Sequence, residues 1–221
     1  MDFFKDIDCA IFDLDGTLVK SLDAWNRVDD IFMRRRGMDT PKGFYDKVAP
    51  MNLVEAADYV KAEYGIQESR QEIIDEWLFL LGQQYESGVE MVDGVQEFLR
   101  KLHQSGAKIA LATAAPPQLY RPCLERFGVL DYFCAFASTE EVSRKKGFPD
   151  VYLLAAQRAG VSPERCCVFE DIYIGCMGAK AAGMRCIGIL EEHSRGDWQR
   201  MSEVCNCVIR DYTELLNRDK Y

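Results

Sequence analysis

Four places along the chain carry reactive or ligating side chains, three of them at the ends of short apolar runs. Asp13 and Asp15 stand two residues apart after Cys9-Ala10-Ile11-Phe12, and Gly16 permits a tight turn. Where a strand continues, that spacing points both carboxylates to one side. Such a pair can hold a divalent cation, and one member can act as nucleophile or proton donor. Thr113 closes Lys108-Ile109-Ala110-Leu111-Ala112, and its hydroxyl can donate to an anionic oxygen. Ala114 and Ala115 follow, leaving their backbone N–H groups clear of bulky side chains. Lys146 lies in Arg144-Lys145-Lys146-Gly147-Phe148-Pro149-Asp150, and Glu170-Asp171 closes Cys166-Cys167-Val168-Phe169. Each feature alone also reads as a polar turn, a strand cap or a solvated lysine run. Four of them at the same edge of one sheet point to a site.

The elements that must position these residues have a clear rhythm. The three runs above, together with Arg185–Ile189, are near-continuously apolar, as strands of a parallel sheet covered on both faces are. Phe133–Ala137 and Cys207–Ile209 read as two further strands. Between them, Val95 to Gln104 places Val95, Phe98, Leu99 and Leu102 at helical spacing and stops at Gly106. Asp150 to Ala159 places Val151, Leu154, Ala155 and Arg158 similarly before Gly160, and Gly175 to Ala182 closes at Gly183. The alternation predicts an α/β, doubly wound (Rossmann-like) parallel sheet, with ligands beyond the carboxyl ends of its strands.

Residues 19–90 break the rhythm. No strand is legible there, and the apolar residues follow helical spacing, as in Trp25, Val28, Ile31 and Phe32, or Ile73, Ile74, Trp77, Leu78 and Leu81. Breaks fall at Gly37, Thr40-Pro41, Pro50 and Gly65. The expected organisation is a core domain of residues 1–18 and 91–221 with an all-helical domain of residues 19–90 inserted.

Composition removes several classes of function. The 221 residues are 48% hydrophobic, enough for a core that hides about 70% of the chain's surface. A net charge of −9 argues against nucleic acid or an anionic membrane as the main partner. No apolar run approaches a membrane span, and Met1 to Asp6 shows no signal sequence, so a cytoplasmic location is expected. The nine cysteines then read as reduced thiols. Cys205-x-Cys207 lacks the second ligand pair that a zinc site needs, which argues against a metal there. His103 and His193 are too few for a histidine metal site and read as solvated.

The ordered motifs resemble the haloacid dehalogenase superfamily over nearly the whole chain. Its first motif, D-x-D-G-T after hydrophobics, is matched by Ile11-Phe12-Asp13-Leu14-Asp15-Gly16-Thr17-Leu18. The second is matched by Leu111-Ala112-Thr113, the third by Lys146-Gly147-Phe148-Pro149-Asp150, and the fourth by Val168-Phe169-Glu170-Asp171-Ile172. The helical insertion resembles the family's helical cap, near the β-phosphoglucomutase and phosphoglycolate-phosphatase-like branch. Gly147 replaces the usual proline after the lysine, and Ala114 stands where many members carry Asn or Ser. Lys146 is chosen over Lys145 because only it has Pro-Asp at the expected distance.

The resemblance implies a Mg²⁺-dependent phosphatase acting on a small phosphorylated metabolite through an aspartyl-phosphate. In that scheme Asp13 is the nucleophile and Asp15 the acid and base. Thr113, Ala114 and Lys146 bind the phosphate. Asp13, Asp15 and Asp171 ligate Mg²⁺, with Glu170 acting through water. Lys20, Tyr45, Lys47, Met51 and Asn52 are the cap residues implied to meet the leaving group. A monomer or weak homodimer is expected. The alternatives are a β-phosphoglucomutase-like sugar phosphomutase and an inactive phosphate-binding regulatory module. The mutase branch resembles D-x-D-G-x-x-x-D-T-x-x-x-H, and Trp25 stands here in place of its histidine.

Overall fold

Cys9 and Ile11 point to one side of their strand and Ala10 and Phe12 to the other, and both sides are covered, which is why the run is apolar throughout. The computed structural model describes residues 6–48 and 51–218. Among these, strands β1 (Cys9–Phe12), β2 (Val19–Lys20), β3 (Glu90–Met91), β4 (Lys108–Thr113), β5 (Ala135–Ser138), β6 (Cys166–Glu170), β7 (Arg185–Ile189) and β8 (Cys207–Ile209) form two sheets. The larger is a six-stranded parallel sheet in the order β5-β4-β1-β6-β7-β8. With helices on both faces it is a doubly wound, Rossmann-like α/β fold.

Cys9, Ile11, Ala110, Ala112 and Val168 pack with Val151, Tyr152, Ala155, Cys176 and Ala179 of helices α7 (Asp150–Ala159) and α8 (Tyr173–Ala181). On the other face Phe12 stacks on Phe169 with 4.4 Å between ring centroids, and Phe98 and Tyr212 stand at 6.4 and 6.3 Å from Phe12. Phe98 belongs to α5 (Val95–Gln104), and Tyr212 immediately precedes α10 (Thr213–Arg218). Core strand β1 is therefore fully buried between two different layers.

The chain divides into two compact units, Met1–Lys20 with Glu90–Tyr221, and Ser21–Val89. The smaller holds α1 (Leu22–Arg35), α2 (Phe44–Val48), α3 (Leu53–Tyr64) and α4 (Arg70–Ser87). Asn52 and Ser69 each start a helix with a reciprocal capping box, to Glu55 and Glu72. Arg36 ties α1 to α4 and the loop before it, its guanidinium 2.7 Å from both Glu68 and Glu76.

Several sequence expectations are corrected. Val19, Lys20 and Glu90, expected in the helical segment, instead form with Met91 the antiparallel pair Val19–Lys20 and Glu90–Met91, which falls in the larger unit. Two-residue strands show no alternation, and their partners lie seventy residues apart, so nothing local announces them. β5 starts at Ala135, not Phe133, because a 3₁₀ turn over Leu130–Tyr132 ends on Phe133. α8 starts two residues early, at Tyr173. The buried face of α7 carries Tyr152 and Ala156, while Arg158 is exposed and pairs with Glu141 at 2.6 Å. α6 (Pro117–Arg126) and α9 (Trp198–Val204) are helices that the sequence reading does not anticipate. Pro50 lies outside the described residues. Among the described residues no helix is long and apolar enough to cross a membrane.

Asp29 is the buried charge of α1, 8% exposed, and burial followed by the neighbouring Asp30 pushes its carboxyl up to about 7. A carboxyl with a raised folded-state pKa stabilises fully below its unfolded value near 4 and loses that contribution as pH rises to 7. Asp29→Asn is therefore expected to gain on the wild type from pH 4 to 7, reaching at most about 4 kcal/mol at pH 8. Urea unfolding of both chains at pH 5 and pH 8 measures this; a gap independent of pH would remove Asp29 as its origin.

Candidate active site

Strand register brings the acidic residues together. Ile11 of β1 stands opposite Val168 of β6 in a parallel ladder. Two residues on, side-chain alternation delivers Asp13 and Glu170 on neighbouring strands and on one face. The ladder runs one step past β1, since Asp13 N–H donates to the Phe169 carbonyl at 3.0 Å. The chain then closes a loop, with the N–H groups of Leu18 and Val19 both on the Leu14 carbonyl.

Gly16 has φ +76°, and a Cβ there would overlap the Asp171 carboxylate. The Asp-x-Asp-Gly turn thus needs glycine both for its backbone and for the close approach of Asp171. Gly175 plays a similar part under Glu170, whose side chain fills the space a Cβ would take. The turn at Gly16 is legible in the sequence, but the close approaches of Asp171 and Glu170 are not.

Ligand oxygens of Asp13, Glu170 and Asp171 lie within 4.8 Å of one another, and all three residues are buried. Lys146 Nζ sits 2.5 Å from Asp13 Oδ1 and 3.0 Å from Glu170 Oε2. Lys146 is 8% exposed, whereas Lys145 is on the surface. Tyr152 donates to Glu170 Oε2 at 2.9 Å, and Thr17 donates to Asp171 Oδ1 at 3.4 Å. Tyr212 donates to the Thr17 carbonyl at 3.2 Å. Asp15 is half-buried beside them.

The electrostatics follow from three buried carboxylates facing one ammonium. Burial, against the pull of Lys146 and with repulsion from Glu170 and Asp15, pushes Asp13 up to about 8. Burial, Glu170 and Asp13 hold Asp171 well above the carboxylate range. Burial works against the Lys146 charge, but Asp13 and Glu170 outweigh it and keep the ammonium protonated. The cluster is short of positive charge, and every donor is a hard oxygen. That donor set fits a hard divalent cation such as Mg²⁺, which Asp13 and Asp171 would hold with Glu170 behind them.

Thr113 ends β4 one residue beyond the level of Asp13, because Leu111 pairs with Phe12. Its hydroxyl oxygen accepts from the Ala115 N–H at 2.9 Å, and Ala114 is exposed between them. Lys20 is exposed on β2 with Nζ 2.8 Å from Asp93. Tyr45, Lys47, Met51 and Asn52 belong to the smaller unit. There Lys47 Nζ lies 5.2 Å from the Tyr59 ring centroid, and Asn52 Oδ1 is spent on the cap of α3.

A haloacid dehalogenase-like hydrolase family model matches residues 7–183. The chain belongs to the haloacid dehalogenase-like hydrolases. Hexitol phosphatase B of Escherichia coli K12 is 30% identical over 97% of both chains. Phosphoglycolate phosphatase of Yersinia pseudotuberculosis is 27% identical over 96% of this chain and 93% of its own. Among solved structures, a putative β-phosphoglucomutase from Thermotoga maritima superposes with a TM-score of 0.80 at 23% identity, covering 97% of this chain and 99% of that one. These neighbours place the chain in the branch that its motifs resemble.

Sequence reasoning missed Tyr152, Thr17 and Tyr212 as supports of this haloacid dehalogenase-like site. A tyrosine among the small apolar residues of α7 is the one local signal, since a buried hydroxyl needs a partner. Lys146→Met, which keeps the stem and removes the ammonium, would leave Asp13 and Glu170 buried without a cation. We expect a loss of about 3–5 kcal/mol of stability and a fall of roughly 100-fold or more in turnover. Thermal unfolding and steady-state rates check both; wild-type values in each would remove Lys146 from the site.

Proposed function

We propose that the chain removes phosphate from a small polyhydroxylated metabolite, with Asp13 as the nucleophile. The enzyme is a phosphoric monoester hydrolase. The observation that carries the reading is the buried cluster of Asp13, Glu170 and Asp171 around Lys146. Asp13 attacks phosphorus as the ester P–O bond breaks, and Asp15 gives its proton to the leaving oxygen. Asp15 then takes a proton from the water that attacks the aspartyl-phosphate, which releases inorganic phosphate and restores Asp13. Lys146, the Thr113 hydroxyl and the Ala114 N–H bind the non-bridging oxygens and meet the charge that develops on them. Bound Mg²⁺ supplies charge neutralisation between the carboxylate and the phosphate.

Hydrolysis is favoured over phosphomutase transfer by Trp25. The resemblance puts a histidine there in mutases, and an indole has no base to offer. We also assign substrate choice to the inserted helical unit, with Tyr45, Lys47 and Met51 as the residues to vary. Asn52 is a poor probe, because its loss would fray α3. The test is phosphate release from a panel of hexitol, hexose and glycolate phosphates with Mg²⁺. We expect robust release from at least one sugar or polyol phosphate, and an altered order of preference in Lys47→Ala. Interconversion of sugar 1- and 6-phosphates with negligible free phosphate would overturn the hydrolase reading; binding without turnover would support a regulatory module.

A further inference from the structure

We propose that Cys176, Cys186 and Cys205 form a soft-metal site that holds one thiophilic dication, of the Zn²⁺ class, through three sulfur ligands. Cys176 comes from α8, Cys186 from β7, and Cys205 directly follows α9. Their sulfurs all lie within 4.8 Å of one another, and Cys186 and Cys205 are 3.8 Å apart. A zinc–sulfur bond of about 2.3 Å makes the edge of a tetrahedral ligand set about 3.8 Å. A disulfide would need about 2.05 Å. The spacing is that of ligands around a shared ion.

Chemistry selects the ion. The cluster presents sulfur alone, set in the apolar layer of Ala179, Met184 and Met201, so it disfavours Mg²⁺ and favours a thiolate-seeking metal. Cys176 Sγ is 4.0 Å from the Glu170 carbonyl oxygen, so the soft site adjoins the hard carboxylate site without sharing a ligand atom. Binding deprotonates the ligand thiols and releases their protons to solvent. Three thiolates with one dication carry a single negative charge, which Lys180 offsets, whereas a monovalent ion would leave a second charge uncompensated. Water completes the fourth position.

The experiment uses the full chain, reduced and freed of metal, mixed with one equivalent of Zn²⁺ in excess Mg²⁺ and then desalted. About one Zn²⁺ per chain should be retained, with release of protons, and Cd²⁺ in its place should give a thiolate-to-metal charge-transfer absorbance. Cys205→Ser and Cys186→Ser should each lower retention to background; Cys205 is half-buried, so its serine variant is the one best able to fold. Cys134→Ser, at an exposed position, and Cys9→Ser, at the start of β1, should retain the metal. No retention by the wild type, undiminished retention in both cluster variants, or loss in Cys9→Ser instead would overturn the site.

Discussion

Asp13→Asn is expected to lower turnover by about 10⁴-fold or more while the protein stays folded. An amide keeps the shape of the carboxylate but lacks the electron pair and charge that attack phosphorus. It also removes one negative ligand from the cluster. Lys146 keeps its second partner, Glu170, at 3.0 Å, so the ammonium is not stranded. Loss of a buried carboxylate that burial had pushed up to about 8 removes an electrostatic liability and leaves stability near the wild-type level or above it. Steady-state phosphate release and thermal unfolding on the same preparation separate the two effects. Near-normal turnover, with wild-type contamination excluded, would take the nucleophile's role away from Asp13.

Chelation should have an effect of similar size. With divalent cations removed, burial and the neighbouring carboxylates push Asp13 up to about 8, and no dication neutralises the charge between it and the phosphate. Phosphate release should fall to background in excess chelator and return with Mg²⁺. The same addition should raise the unfolding temperature, since a ligand at 100 times its Kd stabilises by about 2.7 kcal/mol. Ca²⁺ should stabilise as well but support little turnover, because its longer bonds and looser coordination misplace the attacking oxygen. Full activity in excess chelator would require a mechanism without a metal. Stabilisation by Mg²⁺ retained in an Asp13→Asn, Asp171→Asn double variant would place the cation elsewhere.

Some of this protein is written in its linear order. β1, β4, β6 and β7 are legible because buried parallel strands read as short unbroken apolar runs, and the first three run directly into Asp13, Thr113 and Glu170. α5 and α7 are legible because a glycine follows each. The carboxylates, threonine and lysine are visible because strand ends of one parallel sheet share an edge. Their local spacing is a consequence of backbone geometry, which depends on neighbours two or four residues away.

What needed the tertiary structure are relations between distant residues. The β2–β3 pair joins Val19 to Met91, and no period in either segment marks it. Tyr152 looks like a core residue of α7 until its hydroxyl is found on Glu170. Lys146 differs from Lys145 by being buried against Asp13, a contact made across the sheet. The cysteines make the point most clearly. Cys205 and Cys207 stand two residues apart in sequence, but only Cys207 belongs to β8, while Cys205 lies in the turn between α9 and that strand. Folding instead sets Cys205 beside Cys176 and Cys186, from a helix and a strand that precede it by 29 and 19 residues. Sequence alone determined which residues could do chemistry; packing decided which of them share a site, because burial and charge are properties of the neighbours that folding supplies.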